Sequence, residues 1–307
     1  MIKNILKWQG GKADLFYGEI KQYLPDALFD PSCDITFIDA FAGGGSVFLY
    51  VLNNCPGVKR LLINDYNYRV IDLYRAIQTD VKELIKQANE LQDGYNSASD
   101  KSKYYYDTRA VYNRLDSWNY ISRAAYTLFI NRASYNGIYR ENSLGEFNVP
   151  WCKKDVINTV KEEDLIEANT LLNSGVQIEF TYGDFEYSTE RYVTYTYENG
   201  ILKGNTFIYF DPPYRPLSTA GSISFTAYTK SPFNDDTQIR LRDYCNRLRS
   251  RYDAGIMVSN SYDANDSFIQ DIYKDYNIYQ VNALRSSGGK NAMRGTIKEN
   301  LIISYKK

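Results

Sequence analysis

The 307-residue chain has no histidine. Ser-His-Asp triads, HExxH zinc sites and histidine proton shuttles are therefore excluded. Cysteine is scarce: Cys33, Cys55, Cys152 and Cys245 are dispersed, with no CxxC pair. That argues against both a zinc module and a disulfide scaffold, and it fits a reducing compartment. No run approaches the roughly 20 apolar residues that span a bilayer, and Met1-Ile2-Lys3-Asn4 lacks a signal-peptide core. A soluble, cytoplasmic protein with no membrane partner is expected. Excess charge is missing too, with 36 Lys and Arg against 37 Asp and Glu, so composition does not advertise nucleic-acid binding.

What is present suits a globular enzyme. Hydrophobic residues make up 44% and charged residues 24%, which leaves ample material for a core. Tyrosine dominates the aromatics, at 30 against 14 Phe and 3 Trp; its amphipathic ring serves cores, interfaces and stacking surfaces alike.

Apolar Ile35–Ile38 runs into Asp39 and the cluster Gly43-Gly44-Gly45, and Ser46–Leu52 then reads as a helix. Strand, glycine turn and helix are followed by a second strand, Arg60–Ile63, ending at Asn64-Asp65, and by helical spacing over Arg69–Ile77. This βαβα opening predicts a parallel, doubly wound α/β sheet. From about Lys82 to Asn169 strand signals vanish; helix-like stretches (Val81–Leu91, Tyr104–Leu115, Ile121–Asn131) precede a Gly/Asn-rich loop, Asn136–Pro150. An inserted, mainly helical subdomain is expected there. Sheet patterns return at Val176–Phe180, Thr206–Phe210, Gly255–Ser259, Ile278–Val281 and Leu301–Tyr305, with a helix over Asp235–Arg249. The polar stretch Tyr187–Asn205 reads as a surface hairpin or loop.

Three clusters carry chemistry. In Phe41-Ala42-Gly43-Gly44-Gly45-Ser46 the missing side chains let a ligand approach the backbone and the next helix N-terminus. Asp65, some twenty residues on, can accept the hydroxyls of a ribose, so the pair points to an adenosine-type cofactor. The second cluster, Asp211-Pro212-Pro213-Tyr214, follows the apolar strand Thr206–Phe210. Its two prolines fix a rigid turn at the carboxyl end of the strand, where open α/β sheets bind ligands. There Asp211 and a proline carbonyl can accept the two hydrogens of an exocyclic amine while Tyr214 offers a ring face to a planar base. Two acceptors favour the pyramidal, nucleophilic form of an otherwise delocalised amine, and an activated methyl group can then be attacked without metal or histidine. The third cluster is Lys7-Trp8-Gln9-Gly10-Gly11-Lys12, which read alone is equally well an anchored terminal arm.

Taken together, Trp8–Lys12, Phe37–Phe48, Asn64-Asp65 and Asp211–Tyr214 closely resemble the Dam-type, alpha-group DNA adenine N6-methyltransferases. The resemblance runs from end to end, with further matches at Phe225-Thr226-Ala227-Tyr228, Val258-Ser259-Asn260 and Ser286-Ser287-Gly288-Gly289. It implies a Rossmann-like S-adenosylmethionine-dependent methyltransferase sheet formed by residues 1–80 and 170–307, with residues 81–169 as the target-recognition subdomain. It also implies double-stranded DNA as partner and action as a monomer. By resemblance, Trp8, Lys12, Asp65 and Asp211 contact the cofactor, Phe41 and Gly43 shape its methionine pocket, and Asp184 meets its adenine. Asp39-Ala40 stands where the family commonly has Glu-Pro; the carboxylate survives, and the resemblance counts Asp39 among the cofactor-binding residues. Asp211 and Pro212 then hold the target amine, and Tyr214 stacks on the extruded adenine.

Asn131–Arg140 and Gly145–Pro150 are similar to the family's DNA-contacting hairpin. The resemblance places Lys7, Ile138, Arg140 and Pro150 in base-reading positions, Tyr135 as an intercalating wedge, and Arg132 and Asn136 in the same surface. That is the pattern of enzymes that methylate the adenine of GATC, although Trp151-Cys152-Lys153-Lys154 departs from the aromatic-basic sequence that many of them carry. Two basic stretches are expected to face phosphates. Residues 101–140 hold Lys101, Lys103, Arg109, Arg114, Arg123, Arg132 and Arg140 against Asp107 and Asp116, and residues 285–307 hold Arg285, Lys290, Arg294, Lys298, Lys306 and Lys307 against Glu299. The alternatives are a methyltransferase of the same fold acting on cytosine N4, RNA or a protein amide, a non-enzymatic DNA-binding protein, and an oxidoreductase, which would need the absent GxGxxG fingerprint.

Overall fold

The structure, a computed structural model, describes residues 2–115, 119–159, 161–198, 200, 205–217, 233–284 and 296–306. Among the described residues, seven strands form one sheet: β1 (Ile35–Asp39), β2 (Val58–Asp65), β3 (Gln177–Tyr182), β4 (Thr206–Phe210), β5 (Gly255–Ser261), β6 (Asn277–Leu284) and β7 (Thr296–Ile303), in the order β3-β2-β1-β4-β5-β7-β6. β1 to β5 run parallel, and β7 lies antiparallel between β5 and β6. Every residue of β1 and β4 is buried, as parallel strands covered on both faces require. Strand order reverses between these two, which places the ligand crevice of an open α/β sheet at their carboxyl ends.

The helices are α1 (Ala13–Tyr17), α2 (Ser46–Asn54), α3 (Tyr68–Ser97), α4 (Lys101–Arg114), α5 (Tyr120–Ala133), α6 (Glu162–Leu172), α7 (Phe185–Glu198), α8 (Asp235–Tyr252) and α9 (Phe268–Ile272). Alternating strand residues feed two cores. Phe37, Leu61, Phe207 and Tyr209 pack with Phe16, Phe48, Ile71, Ile121 and Leu165 on one face, whereas Ile38, Leu62, Ile208 and Phe210 pack with Val193, Tyr244 and Leu248 on the other. α3 loses helical geometry at Asp80 (φ −151°, ψ 70°), whose carboxylate then accepts the Glu83 N–H at 3.1 Å and caps the second half. Beyond that break a third cluster gathers Tyr95, Tyr105, Tyr112, Phe129, Phe147 and Val149. Leu84, Ala88, Ile121 and Leu165 of the segment 81–169 join the first sheet core.

Two expectations are corrected. The stretch expected as a hairpin or loop from Tyr187 is largely the helix α7, with Phe185, Ser188, Thr189, Tyr192, Val193 and Thr196 buried at helical spacing. Half of that inward face is hydroxylic, which hid the period; Thr189 and Thr196 donate back to the carbonyls of Phe185 and Tyr192, satisfying themselves inside the helix. The last strand begins at Thr296 rather than Leu301. Phe225–Tyr228 and Ser286–Gly289 lie outside the described residues, as do Asp116, Arg285, Lys290, Arg294 and Lys307.

Candidate active site

Asp39 pairs with Tyr209 in register, so the glycine turn after β1 and the Asp-Pro-Pro-Tyr turn after β4 leave the sheet side by side. They open into a cleft of about 830 Å³ whose wall includes Trp8, Lys12, Phe41, Asp65, Asp184, Asp211, Pro212, Tyr214 and Glu299. The Asp-Pro-Pro-Tyr turn is held at several points. Gln238 on α8 donates to the Pro213 carbonyl (3.1 Å) and accepts from Asn260 (3.0 Å), Ser261 donates to the Arg215 carbonyl (2.8 Å), and Arg215 pairs with Asp235 and Asp266.

Behind that turn lies a buried charge cluster. The Lys12 ammonium, 2% exposed, stands 3.3 Å from Asp211 Oδ1 and 3.4 Å from Glu299 Oε2, donates to the Gly10 carbonyl and sits over the Tyr214 ring at 4.5 Å. Tyr214 donates its hydroxyl to the same Glu299 oxygen at 2.7 Å. Burial opposes the Lys12 charge, but the carboxylates of Asp211 and Glu299 outweigh it and raise its pKa. Burial pushes Asp211 up to about 6, with Lys12 opposing and Glu299 adding to the rise.

On the other flank of β1, Asp65 accepts the Gly43 N–H and the Asn67 N–H, one on each oxygen and both at 2.8 Å; burial raises it to about 6. Both polar groups of Gly43 are thus engaged, because its carbonyl accepts from Tyr74. The glycines answer first to Trp8. A Cβ on Gly43 (φ +47°) would lie 2.7 Å from the indole nitrogen, and one on Gly44 2.7 Å from the Trp8 Cβ. The expected close approach at this turn is therefore partly made by an internal indole, which also stacks on Tyr139 at 5.6 Å.

Asp39 is placed differently from the expectation of a cofactor contact. It is fully buried, outside the cleft wall, and accepts the Phe48 N–H at the start of α2 (3.2 Å). Burial, then the charges of Asp211 and Asp65, push its carboxyl well up. An internal Asp39 supports the turn from behind. Phe41 reaches the cleft and joins Phe185 and Phe233 in an aromatic wall, with ring centroids 5.6 to 6.0 Å apart. Asp184 stands beside this wall, paired with Arg240, whose guanidinium covers the Phe185 ring.

The residues expected to contact DNA gather around the N-terminal arm and the segment after α5. Asn131 and Lys7 exchange hydrogen bonds, Asn131 Oδ1 accepting the Lys7 N–H (2.9 Å) and its amide donating to the Lys7 carbonyl (2.8 Å). Residues 134–151 fold back as an irregular hairpin through the bridges Ser134–Trp151 and Glu141–Phe147. Tyr135 (50% exposed), Asn136, Arg140, Pro150 and Lys7 are exposed and Ile138 is half-buried; Arg140 is held by Asn148 at 2.7 Å. Arg132 is half-buried and reaches the Ile5 carbonyl. Asn136 adopts φ +55°, a left-handed turn that asparagine tolerates. The basic stretch 101–140 divides. Arg123 forms an internal pair with Asp72 at 2.7 Å and is spent inside the fold, whereas partly exposed Lys101 and Arg109 donate to the carbonyls ending α3 and to the Val149 carbonyl.

Sequence reasoning missed Glu299, Gln238, Arg240, Phe185 and Phe233. A β7 starting at Leu301 left Glu299 outside the strand and counted it as surface charge, whereas it is 6% exposed.

The family description D12 class N6 adenine-specific DNA methyltransferase matches residues 8–287. The type II methyltransferase M.MjaIII of Methanocaldococcus jannaschii is 35% identical over 99% of each chain. The type II methyltransferase M1.LlaDCHI of Lactococcus lactis is 31% identical over 99% of this chain and 96% of the relative. The DNA adenine methylase of Escherichia coli K12 is 28% identical over 98% and 94%. The match runs along nearly the whole length, and the chain belongs to the D12 class of N6 adenine-specific DNA methyltransferases.

Proposed function

We propose that the chain transfers a methyl group from S-adenosylmethionine to N6 of an adenine extruded from double-stranded DNA, within GATC, acting as a monomer. The observation that carries this reading is the arrangement of Asp65 and Asp211-Pro212-Pro213-Tyr214 on either flank of the β1 terminus, in one cleft at the strand-order reversal. The residues fit the cofactor. Each Asp65 oxygen accepts only one backbone N–H and keeps a lone pair for a ribose hydroxyl. The wall of Phe41, Phe185 and Phe233 suits a purine face, and Asp184 at its edge suits an exocyclic amine.

When bound, S-adenosylmethionine supplies a methyl group on a cationic sulfonium, whose methyl–sulfur bond breaks to leave the neutral thioether S-adenosylhomocysteine. The protein's part is to make the amine nucleophilic. Asp211, with its pKa near 6, is ionised at pH 7, and its carboxylate and the Pro212 carbonyl accept the two N6 hydrogens, drawing the lone pair out of the ring. Tyr214 stacks on the base; the carboxylates of half-buried Asp211 and buried Glu299 face the positive charge that grows on N6 as the N–C bond forms. That amine then sheds a proton to water.

Residues 81–169 serve in this reading as the target-recognition segment, hinged at the break at Asp80. Arg140 forks onto a guanine edge, Ile138 and Pro150 meet thymine methyls, and exposed Tyr135 fills the stack vacated by the flipped base. The test is transfer of tritiated methyl to a GATC duplex and to a duplex lacking GATC, with digestion to nucleosides. Label recovered as N6-methyladenine from the first duplex alone is expected. Label in the second would overturn the recognition site, and label on cytosine the target base.

A further inference from the structure

We propose that Glu299 is a positioning residue for methyl transfer, holding the Lys12 ammonium and the Tyr214 hydroxyl on one carboxylate oxygen so that Asp211 is only partly neutralised. The inference rests on the reaction proposed above and concerns the same cleft. Its basis is geometric. Lys12 stands almost midway between two carboxylates, 3.3 Å from Asp211 and 3.4 Å from Glu299, so one positive charge is shared by two negative ones. Glu299 Oε2 also takes the Tyr214 hydroxyl at 2.7 Å. The charge and the stacking ring are therefore tethered to one atom on β7, a strand distant in sequence from both.

An Asp211 carboxylate fully paired with Lys12 would be a poor partner for an amine that becomes cationic, because its field would be cancelled within one ion-pair distance. Glu299 draws Lys12 away and leaves a net negative charge fixed in a buried site, where a charge aimed at the transition state acts most strongly. The groups facing this cluster are Lys12, Asp211, Tyr214 and Tyr209, with Asp39 beyond Asp211. Among them, Glu299 raises the Asp211 pKa and Lys12 lowers it.

The Glu299→Gln variant keeps shape and an acceptor for Tyr214 but removes the charge. Expected at pH 7.5 is a kcat lowered by about 10- to 100-fold, with KM for DNA and the calorimetric Kd for S-adenosylhomocysteine each within about threefold of wild type. The acid limb of the kcat profile moves to lower pH, because Asp211 loses a neighbouring negative charge and gains more of Lys12. Glu299→Asp keeps the charge but shortens its reach. It loses kcat with the acid limb unmoved, and it serves also if the glutamine variant does not fold. A kcat within threefold of wild type in either variant, an unmoved acid limb in Glu299→Gln, or a Kd weakened tenfold would overturn the assignment. Wild-type protein that leaves adenine unmethylated would instead overturn the reaction itself.

Discussion

Replacing Asp211 with asparagine separates what this residue does for catalysis from what it costs the fold. The side chain keeps its size and one acceptor oxygen, and Lys12 keeps Glu299 and the Gly10 carbonyl, so the turn has no reason to collapse. What disappears is a negative charge beside the reacting amine. Losing one aimed electrostatic group in a buried site costs ~3–4 kcal/mol of transition-state stabilisation, or about 10²- to 10³-fold in kcat. Stability moves the other way with pH. The wild-type carboxyl is raised from 3.8 to about 6, so the folded state holds its proton more tightly than the unfolded chain. Its stabilising contribution is complete below about pH 4 and is lost as pH rises through 6, a change of ~3 kcal/mol. The variant has no such group. The stability of Asp211→Asn relative to wild type is therefore expected to climb by roughly 2–3 kcal/mol between pH 4 and pH 7, and relief of Asp39, whose carboxyl Asp211 also pushes up, adds in the same direction. Urea unfolding of both proteins across that range, with methyl transfer measured at pH 7.5, provides the assay. A variant retaining a tenth of wild-type kcat, or a stability difference flat or falling with pH, would refute the reasoning.

Gly43→Ala places a methyl group 2.7 Å from the Trp8 indole at φ +47°; a loss of ~1–3 kcal/mol in thermal unfolding is expected, together with weaker cofactor binding by calorimetry. Arg140→Ala leaves the cleft intact and relaxes discrimination at one base pair by about 10- to 100-fold in kcat/KM, which competition between duplexes altered at each position measures. Arg123→Ala leaves buried Asp72 with only the longer, 4.0 Å contact to Arg75 among its ion pairs with described residues and is expected to lower stability by ~3 kcal/mol in urea, with the DNA dissociation constant unchanged by fluorescence anisotropy; a large affinity loss at full stability would return Arg123 to the phosphate surface.

The parts of the fold legible in sequence are those set by local pattern. The apolar runs at Ile35–Ile38 and Thr206–Phe210, each stopped by glycines or prolines, announce central parallel strands and the turns that leave them. Asp65 and Asp211 were visible because each ends such a strand. α7 was not, since Ser188, Thr189 and Thr196 turn hydroxyls inward and satisfy them through bonds that exist only once the helix has formed. Glu299 was hidden for a different reason. A single carboxylate in a polar stretch reads as surface until its partners arrive from 85 residues away at Tyr214 and from the N-terminal arm at Lys12. Arg123 shows the converse, a cation read as surface and consumed by a buried carboxylate. Asp39 likewise kept the family's carboxylate in sequence while packing shut it behind the turn.

The central claim is methyl transfer to adenine in duplex DNA at a defined site, and methylation sequencing of plasmid DNA tests it most directly. The plasmid is recovered from a host without methylation of its own that expresses either the wild-type chain or Asp211→Asn, and every modified base is scored with its flanking sequence. N6-methyladenine confined to GATC in the first culture and absent from the second is the predicted result. Modified cytosine, unmodified DNA from soluble wild-type protein, or equal methylation by the variant would contradict the account.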